Sequence, residues 1–305
     1  MSTLPFWVWR LGCATVLQVS QRLTVEVIDI TDPADARVDD FRDLNSVDRR
    51  PDLPALPGGS VGKALVIAEG VLVVQRMIAS RFPPHALFGV DRRLAELSGD
   101  LVEDSGVEDS GVEGSVPFYR ASKDVMAEVI GFHLNRGVLS AARRPEPLTV
   151  PSVISSARTI AVLEGVNDHE NIGSVFRNAA GLGVDAVIFG PGCADPLYRR
   201  CVRVSMGHAL LVPFAKSDDW PGDLETLRGK GFQTIALTPG EGSVPLRDAV
   251  QSEKLAFLVG AEGPGLKEHT MRSCDVRAHI PMSRGTDSLN VATAAAVAFY
   301  EALSR

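Results

Sequence analysis

Cysteine is scarce: the chain has four (Cys13, Cys193, Cys201, Cys274), with no CxxC pair and no metal-ligand rhythm. That argues against a disulfide framework and for reduced, mostly buried thiols of a cytoplasmic protein. His169, His208, His269 and His279 show no metal spacing, so no metal is expected. Long hydrophobic runs are also missing. The opening MSTLPFWVWRLGCATVLQV is too short to span a bilayer, so no membrane partner is expected. Its only early charge, Arg10, lies inside the apolar run and no small-residue cleavage site follows. It reads as a flexible or mis-started N-terminus in preference to a secretory signal. Neither GxGxxG nor GxxxxGK[ST] follows a strand. GGSVGK (58–63) has no strand before it and Ala after its Lys, which argues against a dinucleotide enzyme or a P-loop ATPase.

Positive charge is not in surplus either. The net charge of −7 argues mildly against a nucleic-acid partner. Its distribution weakens that objection, because LVEDSGVEDSGVEG (101–114) repeats VEDSG and carries acids without a base. Such a segment cannot bury a core and reads as a disordered acidic insertion, 101–115. Without it the chain is near neutral, with Arg136, Arg143 and Arg144 close beyond it. Charge alone therefore neither supports nor excludes RNA.

What is present divides in two. Residues 1–50 are polar and acidic and read as a flexible tail that runs into a Pro/Gly-rich lead-in. In 51–146, VLVVQRMIAS has helical spacing, HALFGV reads as a strand, DRRLAELS as a helix, VPFYRAS as a strand, KDVMAEVIGF as a helix and GVLSAA as a closing strand. This is a small α/β unit. After the linker RRPEPLTVPS, residues 147–305 alternate short, nearly all-apolar strands (TIAVLEGV, AVIFG, FQTIALTP, KLAFLVG) with helices. That pattern predicts a doubly wound parallel sheet covered on both faces.

Three stretches sit where an open parallel sheet carries its chemistry, after the carboxyl ends of strands. In NIGSVFRNAAGLG (171–183), Ile172, Val175, Phe176, Ala179 and Ala180 form one apolar face. Ser174 and Arg177 lie on another, with Asn171 at the entrance. Taken alone, this fits a capped amphipathic helix with a solvated arginine. In LVGAEGPGL (258–266), Glu262 is held among glycines, which fits a ligand approached closely by backbone or an ordinary tight turn. In IPMSRGTDSLNVATAAAVAFY (280–300), Asp287 or Ser288 can cap the last helix, with Asn290 in its first turn. A cap accounts for one polar residue; three within four positions exceed that need.

NxGxxxR (Asn171, Gly173, Arg177), GxExxG (Gly260, Glu262, Gly265) and IPMxxxxxSLNV (280–291), in this order, resemble the three motifs of the SpoU/TrmH family. These are RNA 2′-O-ribose methyltransferases of the SPOUT class. VRVSMGHALLVPF (202–214) is similar to the family's segment between the first two motifs. One departure is that Gly285 stands a residue later than usual, behind Arg284.

The resemblance implies a C-terminal α/β domain tied in a trefoil knot, preceded by a smaller α/β/α RNA-binding unit similar to certain ribosomal proteins. It implies S-adenosylmethionine held by Leu237, Thr238, Pro239, Gly260, Ile280, Met282, Ser288 and Leu289. It further implies a homodimer built through the knotted domain. The catalytic set would be Arg177, Asn171, Glu262, Ser288 and Asn290. Arg177 would sit at the reacting hydroxyl and Asn171 would orient it. A guanidinium stays protonated, so stabilising an alkoxide and gripping a phosphate suit Arg177 better than acting as a base. Arg136, Arg143, Arg144 and Arg203 are the candidates for RNA backbone contacts, although each also fits a solvated surface arginine. The expected reaction is methyl transfer to a ribose 2′-hydroxyl of rRNA or tRNA. The alternatives are a non-catalytic RNA-binding protein of the same fold and base methylation. The intact five-residue set disfavours the first and the SLN signature the second.

Overall fold

A computed structural model describes residues 22–45, 63–104, 115–240, 242–283 and 288–304. It contains two sheets. The first is mixed and uses β1 (Leu23–Ile30), β2 (Val66–Glu69), β3 (Pro84–Gly89), β4 (Leu101–Glu103), β5 (Val116–Ala121) and β6 (Val138–Ala142), in the order β2-β6-β3-β5-β1-β4. Its helices are α1 (Val71–Ile78), α2 (Asp91–Glu96) and α3 (Lys123–Ile130). Ile67, Ala86, Phe88 and Leu139 pack on α3 and on the 3-10 turn Ala36–Phe41. On the opposite face, Val66, Ala68, Leu87 and Phe118 pack on α1 and α2.

Two expectations are corrected here. Residues 23–45, assigned to a flexible tail, supply β1 and the 3-10 turn. β1 pairs in parallel with both β5 and β4, and Phe41 and Leu44 are fully buried. Its exposed Glu26 and Asp29 made the segment look polar, but its β-branched residues face the two layers. Residues 101–103, assigned to the disordered insertion, form β4 on the free edge of β1. Residues 105–114 lie outside the described residues, as do 1–21, where the flexible start was expected, and 58–62 of GGSVGK.

The second sheet is wholly parallel. It comprises β7 (Thr159–Glu164), β8 (Ala186–Phe189), β9 (Phe214–Lys216), β10 (Gln233–Leu237), β11 (Val244–Pro245), β12 (Leu255–Gly260) and β13 (Val276–His279), ordered β11-β13-β10-β12-β7-β8-β9. Its helices are α4 (Val150–Ile154), α5 (His169–Gly181), α6 (Arg199–Val204), α7 (Gly222–Gly229), α8 (Leu246–Ala249), α9 (Glu268–Arg272) and α10 (Val291–Leu303). Period-2 alternation explains the all-apolar strands. Ala161, Leu163, Phe257 and Val259 face α5 and α10, whereas Ile160, Val162, Ala256 and Leu258 face α4 and α7.

β7 leads away to β8 on one side, while β12 leads through α9 to β13 on the other. The strand order therefore reverses between β7 and β12, where an open α/β sheet leaves a crevice at its carboxyl edge. Both units share one apolar cluster, because Leu197, Val202 and Leu210 pack with Val73, Val74 and Met77 of α1. Among the described residues no helix is long and apolar enough to cross a membrane. Cys193, Cys201 and Cys274 are in no disulfide, and burial pushes the first two thiols up and that of Cys274 to about 12, which keeps them protonated at neutral pH.

Candidate active site

Two helix starts and one loop converge at this crevice. α5 begins directly beyond β7, where the Asp168 carboxylate caps it by accepting from the N–H groups of Glu170 (2.6 Å) and Asn171 (3.0 Å). α10 begins at Val291, and its cap is Asn290, whose Oδ1 accepts from the N–H groups of Ala292 (2.9 Å) and Thr293 (3.3 Å). This corrects the expected helix start: Asn290 is the cap, not a first-turn residue, and Ser288 lies outside the helix, exposed. Asp287 lies outside the described residues, as does the Arg284–Gly285 departure.

The caps orient everything between them. Because Asn290 Oδ1 faces backbone N–H groups, its Nδ2 must point outward, and it donates to Asn171 Oδ1 at 2.7 Å. That fixes the Asn171 amide as well, whose Nδ2 donates to Glu262 Oε2 at 3.3 Å. Glu262, Asn171 and Asn290 thus form one relay, and the exposed carboxylate keeps free lone pairs.

The loop carrying Glu262 is shaped by glycine. Gly260 closes β12, and a β-carbon there would lie 2.1 Å from Gly265 C and from Leu266 N. The loop folds back that tightly because Gly265 N–H donates to Ala261 O at 2.9 Å and Gly265 has φ +70°. Below it lies Glu164, the register partner of Gly260 and only 1% exposed. Its Oε1 accepts from Trp220 Nε1 (2.8 Å) and Thr270 Oγ1 (2.7 Å), and its Oε2 from Lys267 N–H (2.9 Å). The carboxylate anchors the far end of the Glu262 loop to β7. Sequence reasoning missed Glu164, although VLEG, an acid and a glycine closing an apolar strand, marks it.

Arg177 does not join the relay. It lies on the α5 face that begins with Gly173, where a β-carbon would sit 2.9 Å from Cys201 O and from Val204 Cβ of α6. One turn further along that face Arg177 is exposed, close enough to Arg76 and His208 to perturb both. Burial, then Arg76 and Arg177, push the His208 imidazole down to about 4, so it is neutral at pH 7. Among the described residues Arg177 has no hydrogen bond or carboxylate partner. Asn178, on the face of Asn171, instead donates to Ala292 O at 2.9 Å and ties α5 to α10. Of the five expected catalytic residues, the structure joins three, places Ser288 beside them in sequence without a side-chain hydrogen bond among the described residues, and leaves Arg177 exposed outside the relay, within electrostatic range of Arg76 and His208.

The model of the SpoU rRNA Methylase family matches residues 158–300, a span holding the whole relay. An uncharacterized tRNA/rRNA methyltransferase of Mycobacterium tuberculosis is 66% identical over 281 residues, covering 91% of this chain and 92% of its own length. The chain belongs to the SpoU rRNA methylase family.

A more distant relative, the 23S rRNA (guanosine(2553)-2′-O)-methyltransferase RlmP of Bacillus subtilis, is 28% identical over 66% of this chain and 78% of its own. The AdoMet-bound rRNA methyltransferase of Sinorhizobium meliloti has the same α/β fold. It covers 90% of this chain and 97% of its own at TM-score 0.69 and 21% identity.

The residues expected to hold the methyl donor fall at adjacent strand ends. Leu237 closes β10, Gly260 closes β12, and Ile280 follows β13; Thr238 N–H donates to Ala278 O at 2.9 Å and joins two of those ends. Leu237 and Ile280 are partly buried against the core, Met282 is half-buried, and Pro239 and Leu289 are exposed. Half-buried apolar side chains beside strand-end backbone suit a planar base and a sugar.

The four arginines assigned to RNA separate into two kinds. Arg143 is exposed without a partner among the described residues, and Arg136 and Arg203 are partly open. Arg144 is held more firmly. Its Nε donates to Ala64 O at 3.0 Å and its Nη1 pairs with Asp195 at 2.6 Å, so it braces the two units together.

Proposed function

We propose that this chain transfers a methyl group from S-adenosylmethionine to a ribose 2′-hydroxyl of rRNA or tRNA. The observation that carries this reading is the hydrogen-bonded relay Glu262–Asn171–Asn290 at the crevice between β7 and β12. It supplies an oriented carboxylate with spare lone pairs beside strand ends suited to a nucleoside.

The donor would be held by Leu237, Thr238, Pro239, Gly260, Ile280, Met282, Ser288 and Leu289. When bound, it supplies an electrophilic methyl group on a sulfonium. The protein's part is placement and electrostatics. Glu262 would accept a hydrogen bond from the sugar hydroxyl and receive its proton on transfer, and Asn171 holds that carboxylate in one rotamer. Arg177, permanently charged and without a carboxylate of its own among the described residues, stabilises developing alkoxide and grips the neighbouring phosphate. Holding a hydroxyl in line for attack contributes about 7–11 kcal/mol, which makes rigid placement the dominant effect.

The trefoil threading belongs to this reading. It is supported by the late strands β12 and β13, which insert between strands formed earlier, with α10 returning against α5. A homodimer belongs to it as well, supported by the exposed apolar residues Val297, Tyr300 and Leu303 along α10. Residues 51–146 would bind RNA in a cytoplasmic enzyme.

Titration calorimetry with S-adenosylmethionine, followed by transfer of labelled methyl into total RNA, tests the reading. Arg177→Ala should keep cofactor affinity and abolish transfer; unchanged turnover would remove Arg177 from the mechanism.

A further inference from the structure

Where the two units meet, one carboxylate faces three guanidinium groups. Glu69 closes β2 and is 5% exposed. Arg199 of α6 takes its Oε2 at 3.0 Å, donates to Leu44 O at 3.2 Å and lies 5.2 Å from the centre of the Phe132 ring. Those contacts keep Arg199 largely buried. Arg203, one turn on, reaches the same oxygen at 3.9 Å, and Arg136 of the first unit reaches Oε1 at 4.0 Å while its Nη1 donates to Glu69 O at 3.4 Å.

A single carboxylate neutralises one guanidinium, and Arg199 holds it in the closest contact. Arg136 and Arg203, 41% and 38% exposed, share that carboxylate with Arg199 only at longer range, each about 4 Å from one of its oxygens and one from each unit. Two like charges held together at a protein surface favour an anion between them. On the first unit, Arg136 also lines a cavity of about 210 Å³ with Gly70, Val71, Leu72, Val73 and Arg93. The juxtaposition is invisible in the sequence, because α6 and residue 136 belong to different units.

We propose that Arg136 and Arg203 hold one RNA phosphodiester jointly, across the seam between the units, with Glu69 and Arg199 as the scaffold that fixes the pair. This rests on the reading that RNA is the substrate. It adds that the strand is bound by both units at one point, so the first unit sets where the RNA enters the second.

The test is a double-mutant cycle on RNA affinity, using the full chain, an in vitro transcript of 23S rRNA and a salt series. Arg136→Gln and Arg203→Gln should each weaken binding by about tenfold, as expected for one charge-assisted hydrogen bond. Combined, they should cost far less than the product of the two, and the salt slope should fall by about 0.7, one phosphate, not two. Multiplicative losses with a doubled change in slope would assign the arginines to separate phosphates and overturn the proposal, as would unchanged affinity in both single variants. Failure of the wild-type chain to bind the transcript or bulk tRNA would instead remove the RNA reading on which it rests.

Discussion

Asn290 Nδ2 donates to Asn171 Oδ1 at 2.7 Å, and this bond joins the starts of two helices 119 residues apart in the chain. The Asn290 side chain therefore does two things at once, capping α10 through its oxygen and orienting Asn171 through its nitrogen.

The two roles are separable. Asn290→Asp keeps the capping oxygen and loses the donor, so it should melt close to wild type while methyl transfer falls by at least about tenfold, the weight of one oriented hydrogen bond. Asn290→Ala loses the cap as well, at about 1 kcal/mol, and should lower Tm by about 2–4 °C. Equal activities for Asn290→Asp and wild type would show that the relay is not used.

Glu164 makes a different prediction, because its three hydrogen bonds hold the Glu262 loop from below. Glu164→Gln can still accept from Trp220 and Thr270 but presents an amide to Lys267 N–H. S-adenosylmethionine affinity, read by calorimetry, should fall more than Tm does. Glu164→Ala leaves the Thr270 hydroxyl and the Lys267 N–H without an acceptor, at about 1–3 kcal/mol each, and Trp220 Nε1 with only Thr270 Oγ1 at 3.3 Å, so it should fold poorly. Wild-type affinity in Glu164→Gln would detach this carboxylate from the cofactor loop.

Gly260→Ala is expected to fail outright. Its β-carbon would overlap the backbone of Gly265 and Leu266 at 2.1 Å, so either β12 or the loop must move. Loss of cofactor binding with a lowered Tm is the expected result, and a stable variant with intact binding would contradict the fold-back of the loop.

His208 sets a pH window. Its folded value is pushed down to about 4 against an ordinary 6.5, so its stabilising contribution is complete above pH 6.5 and is lost as pH falls toward 4. Asp40, held at about 2 by His85 and Lys63, acts below pH 3.8 and does not overlap. His208→Gln should flatten the decline in Tm between pH 6.5 and 4. An unchanged decline would place that titration elsewhere.

Much of this was legible in the residues themselves. The short apolar strands announced a sheet buried on both faces, and Ile172, Val175 and Phe176 gave the inner face of α5 directly. β1 was missed because Glu26 and Asp29 point to solvent from a strand near the sheet edge, although the run of Val, Ile and Thr carried the signal. Glu69 and Glu164 were missed for another reason. A buried acid is recognisable only through its partners, and Arg199 and Trp220 come from distant segments. Arg144 looked free for the same reason, since Asp195 is remote in the chain.

The most direct test of methyl transfer to the sugar is alkaline hydrolysis of RNA labelled by the enzyme from methyl-tritiated S-adenosylmethionine. A 2′-O-methyl group blocks cleavage of the adjacent phosphodiester, so the label should appear in alkali-stable dinucleotides and be absent from those made with Arg177→Ala. Label recovered in mononucleotides, which would mark a methylated base, or no transfer to any rRNA or tRNA, would contradict the account.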